Sequence, residues 1–212
     1  MKNIPVFTTE LGIASLTLQE IPYKQQAYIR IQSSVNQSQF IKECVDFCYA
    51  VGAEKIYITG DRIPEQFPLF TRIIKLACER SSLPETDSVL IPVTVNNIDE
   101  WRCIYNKKMK NVPCSATLSI TETEKFLTGN TLYYVNRGND HIGIGKISDN
   151  QIDVIASCVP GAGKDVILAL SAAVKSETIY VEVADKNIKA LNLYKSLGFL
   201  EVSEVARWYS YK

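Results

Sequence analysis

Val181-Glu-Val-Ala-Asp-Lys-Asn-Ile-Lys-Ala-Leu-Asn-Leu-Tyr-Lys-Ser-Leu-Gly-Phe199 reads as a strand, a polar turn and a short helix stopped by glycine. From Thr178 to Ala184, β-branched or aromatic residues alternate with others, as a half-buried pleated strand requires. Ile188, Leu191, Tyr194 and Leu197 then fall three apart, which predicts one helical face, and Gly198 stands where a helix C-terminus favours glycine.

Upstream lies a second strand-to-helix junction. Gln151 to Val159 reads as a strand, Pro160-Gly-Ala-Gly-Lys-Asp165 as a turn, and Val166 to Val174 as an apolar helix. Glycines let the backbone approach an anion, helix N-terminal amides point at it, and the helix dipole favours negative charge there. Lys164 adds a cation. The run is not a nucleotide P-loop: it lacks the first glycine and the Ser or Thr after the lysine.

The order N-x-x-A-x-x-L-Y-x-x-x-G-F, filled by Asn187, Ala190, Leu193, Tyr194, Gly198 and Phe199, resembles the GNAT superfamily of acyl-CoA-dependent N-acetyltransferases. The resemblance implies an α/β GNAT fold, a mixed and mostly antiparallel sheet with helices on both faces, in which two neighbouring strands splay to admit the acyl-pantetheine arm. It implies acetyl-CoA as co-substrate, held by Ser157, Cys158, Val159, Gly161, Ala162, Gly163, Lys164, Asp165, Val166, Asn187 and Tyr194. Asn187 would contact the arm, and Tyr194, the catalytic candidate, would face the thioester sulfur. The loop here is shorter than the family's usual one, because Pro160 runs directly into Gly161-Ala-Gly163. The implied reaction is acetyl transfer to a primary amine of a small molecule or peptide by direct attack in a ternary complex. The alternative is a noncatalytic acyl-CoA-binding or interaction module on the same scaffold. A flavodoxin-like binder would place its glycine loop after the first strand of a parallel series, and here the loop comes late.

Elements upstream fit the same frame. Asn97 and Glu100 are spaced as a capping box before Ile98, Trp101, Tyr105 and Met109, and Thr121 to Glu124 repeat the device before Phe126 and Leu127. Thr131 to Val135 and His141 to Ile147 read as paired strands about an Arg137-Gly-Asn-Asp140 turn, and the chain should end in a pair of strands. The complete GNAT-like domain is placed at residues 91–212. Residues 1–90 form a partial GNAT-like half: Gly12 to Asp61 and Gly143 to Asp185 both run strand, strand, helix, strand. Ser33-Ser-Val-Asn-Gln37 replaces the glycine loop in that copy, which makes it a scaffold. Phe67 to Arg80 reads as helical, and Ser81 to Asp87 as a linker.

Composition bounds the function. The 212 residues carry 23 Lys and Arg against 23 Asp and Glu, so no basic excess points to nucleic acid. Hydrophobic content of 46% is ordinary, and no apolar run reaches membrane-spanning length. The N-terminus from Met1 lacks the apolar core of a signal peptide, which makes cytoplasmic the expectation, as a monomer or homodimer. Six cysteines without a C-x-x-C pair, and one histidine, argue for reduced thiols and no metal site. Glu182 and Asp153 are weighed as general bases beside a water relay, and Cys158 is read as a buried thiol, not a nucleophile. The loop Lys110 to Ala116 and the terminal residues Arg207, Trp208, Tyr209 and Tyr211 are where the resemblance puts acceptor recognition.

Overall fold

The computed structural model describes residues 5–129 and 131–211, so the extreme N-terminus lies outside the described residues. The chain forms two compact units, residues 1–72 with 205–212 and residues 73–204.

In the first unit, β1 (Val6–Thr9), β2 (Gly12–Thr17) and β3 (Gln26–Ser34) pair antiparallel in sequence, with a short helix α1 (Ile21–Lys24) between the last two. Helix α2 (Gln37–Ala50) starts at Asn36, whose side chain accepts the Gln39 amide. It crosses to β4 (Lys55–Thr59), which pairs parallel with β3 from Gln26 against Lys55 to Arg30 against Thr59. Phe40, Ile41, Cys44, Val45 and Cys48 line one face of α2 and close the core over Ala14, Leu16, Ile29, Ile56 and Ile58.

Strand β5 (Leu69–Glu79) takes the place of the helix expected over Phe67 to Arg80. Phe70, Ile73, Ile74 and Ala77 mimic a helical stripe, but the burial alternates at Ile74, Leu76 and Cys78, the period of a strand. From Thr178 against Glu79 to Ala184 against Ile73, β5 pairs antiparallel with β10 (Thr178–Ala184). The second unit therefore begins near residue 73 and not at 91, because that ladder belongs to it. After a 3-10 turn at Arg80–Ser82 come β6 (Val89–Pro92), α3 (Ile98–Met109), α4 (Ile120–Leu127), β7 (Leu132–Arg137), β8 (Asp140–Ser148), β9 (Gln151–Ser157) and α5 (Gly163–Ala173). After β10 follow α6 (Ile188–Ser196) and β11 (Leu200–Tyr211). Strands β6 to β9 pair antiparallel in order. The expected final strand pair is one strand, β11, since no Gly or Pro interrupts it.

Helices cover both faces of this second sheet. On one, Trp101 and Tyr105 of α3 pack with Leu132, Tyr134, Ile144, Val154 and Ala156, and Trp101 Nε1 donates to the Tyr133 carbonyl at 3.0 Å. On the other, Val166, Ile167 and Leu170 of α5 and Tyr194 of α6 pack with Leu76, Val181 and Phe199. Gly143 and Gly145 make that contact possible: a Cβ on the first would overlap Val166 Cγ2, and on the second the Leu170 side chain.

Of the two expected capping boxes, one does not form and the other moves. Asn97 makes no cap, because its Oδ1 accepts from the Thr94 amide at 2.8 Å. The second box is Ser119 with Glu122, two residues earlier than Thr121 to Glu124, and its reciprocal hydrogen bonds start α4 at Ile120.

Candidate acyl-CoA site

Between β9 and β10 the parallel pairing covers only Tyr180 with Gln151 and Val181 with Ile152. Beyond Ile152 the two strands part, although each keeps its other neighbour: β9 stays registered with β8 to Ser157, and β10 with β5 to Ala184. A bulge marks the point of departure. Lys146 faces Val154 and Ile147 faces Ile152, which leaves Asp153 as the extra residue on β9. Its carboxylate is anchored by Lys146 Nζ, by Ser148 Oγ at 2.6 Å and by Gln151 Nε2 at 3.2 Å. Asp153, weighed as a base, thus holds the bend that opens the gap.

The opened edge runs from Asp153 to Ser157, about 16 Å of strand. The Cys158 amide donates to the Ile142 carbonyl at 2.7 Å, so alternation turns the backbone of Ile155 and Ser157 away from β8 and toward the gap. Cys158 is half-buried, and burial raises its thiol pKa while Lys108 opposes the shift, so the thiol stays neutral. Lys108 Nζ reaches the Cys158 carbonyl at 3.5 Å. That cation carries no sequence motif, and only the fold of α3 brings it here.

The turn that follows starts α5. Val159 is exposed and its carbonyl accepts the Ala162 amide at 3.2 Å; Gly161 has φ +84°, with nothing within 4 Å of where a Cβ would stand. Ala162 is the N-cap and offers no side-chain cap. The amides of Gly163, Lys164 and Asp165 therefore have no backbone partner among the described residues, as the first turn of a helix leaves them. Two of the expected contacts shift. Val166 donates its amide to the Ala162 carbonyl and buries its side chain, and Ala162 is 3% exposed with its own amide bonded, so both shape the turn without offering a donor. Asp165 pairs with Arg137 at 2.9 Å. Lys164 is exposed.

At the other wall, the Asn187 amide donates to Ala184 and Asn187 is the N-cap of α6, yet its side chain makes no capping hydrogen bond. Its carboxamide remains available. Ile188 is exposed while Tyr194 and Leu197 are buried, because a strict spacing of three advances about 300° per step and drifts around the helix. Tyr194 is held by the helix end: the Phe199 amide donates to the Tyr194 carbonyl at 3.1 Å and the Gly198 amide to Lys195 at 3.1 Å, with Gly198 at φ +90°. These bonds form a Schellman cap, and the Tyr194 and Phe199 rings, 6.0 Å apart, supply its apolar contact. The motif of the sequence is thus a helix stop that fixes a tyrosine. Its hydroxyl makes no hydrogen bond among the described residues, and burial pushes its pKa up to about 12. Gly163 and α6 meet, since a Cβ on Gly163 would lie 3.1 Å from Leu193 Cδ2.

Glu182 is exposed, opposite Lys75 on β5. His141 is exposed, with Nδ1 2.5 Å from Asn136 Oδ1. Tyr134 of β7 donates its hydroxyl to the Asn97 carbonyl at 2.8 Å, and burial with the nearby Glu100 raises its pKa to about 12. Among the described residues no cluster of three His, Cys, Asp or Glu could hold a metal, and no helix is long and apolar enough to cross a membrane.

No family model matches the sequence, and no curated protein matches it. Solved structures do match. A GCN5-related N-acetyltransferase from Kribbella flavida aligns over 96% of this chain and 58% of its own, with TM-score 0.61 and 7% identity. One from Sphaerobacter thermophilus aligns over 94% and 76%, with TM-score 0.58 and 7% identity. A conserved protein of unknown function from Staphylococcus epidermidis aligns over 99% and 94%, with TM-score 0.62 and 10% identity. The chain has the GNAT fold.

Proposed function

We propose that the protein is an acyltransferase that moves an acetyl group from coenzyme A to a primary amine of a small molecule or peptide. The observation that carries this reading is the opening between β9 and β10, with the first turn of α5 at its end. Its donors suit an acyl-CoA. The unpaired amides of Gly163, Lys164 and Asp165 fit the pyrophosphate, with the Lys164 charge beside them, and the carboxamide of Asn187 fits the pantetheine amides. Acetyl-CoA, when bound, supplies the acetyl group as a thioester.

The protein's own groups then have distinct tasks. Amides on the open edge at Ile155 and Ser157 can polarise the carbonyl, where fixed donors in a dry cleft are strongest. The neutral amine forms the new N–C bond as the C–S bond breaks, and the amine's surplus proton leaves through water. Tyr194 keeps its proton across the neutral range and can give a hydrogen bond or that proton to the departing sulfur. A thiol titrates near about 8.5, so this help is modest.

Calorimetric titration with acetyl-CoA, followed by transfer assays over a panel of amines, tests the reading. Saturable binding and acetylation of at least one amine are expected. Failure to bind at millimolar acetyl-CoA removes the reading, and binding without transfer to any amine leaves a noncatalytic acyl-CoA-binding module.

A further inference from the structure

The β7–β8 turn brings a cation to the first turn of α5. Arg137 faces Asp140 across the hairpin, yet its guanidinium reaches over to α5 and donates from Nη1 to Asp165 Oδ2 at 2.9 Å. Stability does not explain the reach. The arginine side chain is 56% exposed and the aspartate side chain 31%, and ion pairs this open to water contribute little to folding. A carboxylate in the first turn of a helix also suits the helix dipole without any partner. For an anionic ligand, however, Asp165 is an obstacle, because its charge stands in the same helical turn as the free amides of Gly163 and Lys164. Arg137 cancels that charge and keeps donors to spare. A guanidinium carries five N–H donors in a planar fork, and Asp165 is its one side-chain partner among the described residues.

We propose that Arg137 binds the pyrophosphate of acyl-CoA and that Asp165 is the positioning residue that holds its guanidinium at the start of α5. Resting on the acyl-CoA reading above, this assignment adds a residue from outside the glycine turn. The turn itself is short and brings only Lys164, since Pro160 runs directly into Gly161. Strand β7 thus supplies the second cation that the turn lacks. Two phosphate oxygens match the guanidinium fork, a geometry that an ammonium group does not reproduce. The pyrophosphate is the favoured partner over the 3′-phosphate of the nucleotide, because Asp165 fixes the guanidinium in the turn whose amides are free.

The full chain and its variants are titrated calorimetrically with acetyl-CoA and with its 3′-dephospho form. Arg137→Ala should weaken both ligands alike by about tenfold or more, the size of one lost charged hydrogen bond, and Arg137→Lys should recover part of the loss. The double variant Arg137→Ala, Asp165→Asn has no uncompensated carboxylate, and it should still bind more weakly than the parent because the guanidinium donors are gone. Thermal unfolding should stay unchanged in all of them, as an exposed pair implies. Absence of acetyl-CoA binding by the parent would remove the acyl-CoA reading and this assignment with it. If the parent binds, the assignment alone falls on any of three results: Arg137→Ala binds like the parent, the double variant regains the parent's affinity, or the loss disappears with the 3′-dephospho ligand.

Discussion

Tyr194 combines a fixed position with a fixed protonation state. The Schellman cap pins its backbone, Phe199 packs its ring, and burial keeps its hydroxyl neutral up to about pH 12. Tyr194→Phe keeps the ring and removes a hydroxyl that makes no hydrogen bond among the described residues, so the melting temperature should hardly move. Turnover at saturating acetyl-CoA should fall by about 100-fold, the lower end of the range for acid catalysis. Unchanged turnover would take Tyr194 out of the chemistry. The same burial has a stability consequence at alkaline pH. Cys44 and Cys48 of α2 are raised from 9.0 to about 12 and about 11, chiefly by desolvation, and Tyr194 from 10.0 to about 12. Each folded pKa exceeds its unfolded value, so the contribution is complete below about pH 9 and is lost as pH rises through the folded values. Denaturant midpoints should therefore drop from pH 9 to 11, and a Cys44→Ala, Cys48→Ala double variant should show a shallower drop. Equal slopes in the two proteins would contradict the assignment.

The contact of α5 with β8 sets the cleft's far end, and Gly143 permits it. Gly143→Ala would drive a methyl group into Val166 Cγ2 and toward the Ala156 carbonyl, 2.8 Å away. Overpacking of this kind costs about 1–3 kcal/mol, so urea unfolding of the second unit should shift by that amount and acetyl-CoA should bind more weakly. A neutral substitution would show that α5 can move off β8 freely. Elements of this kind were largely legible in the sequence. The strand, turn and helix from Thr178 to Phe199 and the glycine turn at Pro160 to Asp165 carry local signals of period, cap and stop, and the structure keeps them. Other elements were not legible. Strand β5 carries apolar residues at both helical and strand spacings, and only its pairing with β10 decides between them. The bulge at Asp153 was hidden for the same reason: an extra residue exists only relative to a partner strand. Lys108 and Arg137 reach the cleft through the fold of α3 and the β7–β8 turn, with no motif to announce them. The capping boxes show the limit of spacing arguments, since both Ser119 and Thr121 precede a glutamate by three, and Ser119 makes the cap.

At the scale of the molecule, two copies of one supersecondary pattern carry different loads. Strands β2 and β3 pair antiparallel and α2 crosses to a parallel β4, as β8 and β9 pair antiparallel and α5 crosses to a parallel β10. Gly12 and Gly143 match in this comparison: a Cβ on Gly12 would overlap the Ser33 carbonyl oxygen and crowd Phe40 in the first turn of α2, as one on Gly143 crowds Val166 of α5. The difference lies in the parallel ladder. Strands β3 and β4 pair from Gln26 to Arg30 and remain close at Gly60, where a Cβ would lie 3.1 Å from Ile31 Cβ, so the first copy has no opening. Asn36 also caps α2 with its own side chain and occupies the Gln39 amide that an anion would need. Ligand protection should therefore be confined to one copy. With saturating acetyl-CoA, hydrogen exchange should slow in residues 153–166 and stay unchanged in residues 29–41, although the two segments have the same place in their repeats. Gly12→Ala should destabilise the first unit and leave acetyl-CoA affinity as it was, in contrast to Gly143→Ala. Equal protection of both segments would mean that a closed ladder and a filled cap do not exclude the ligand, and the division of labour between the copies would have to be abandoned.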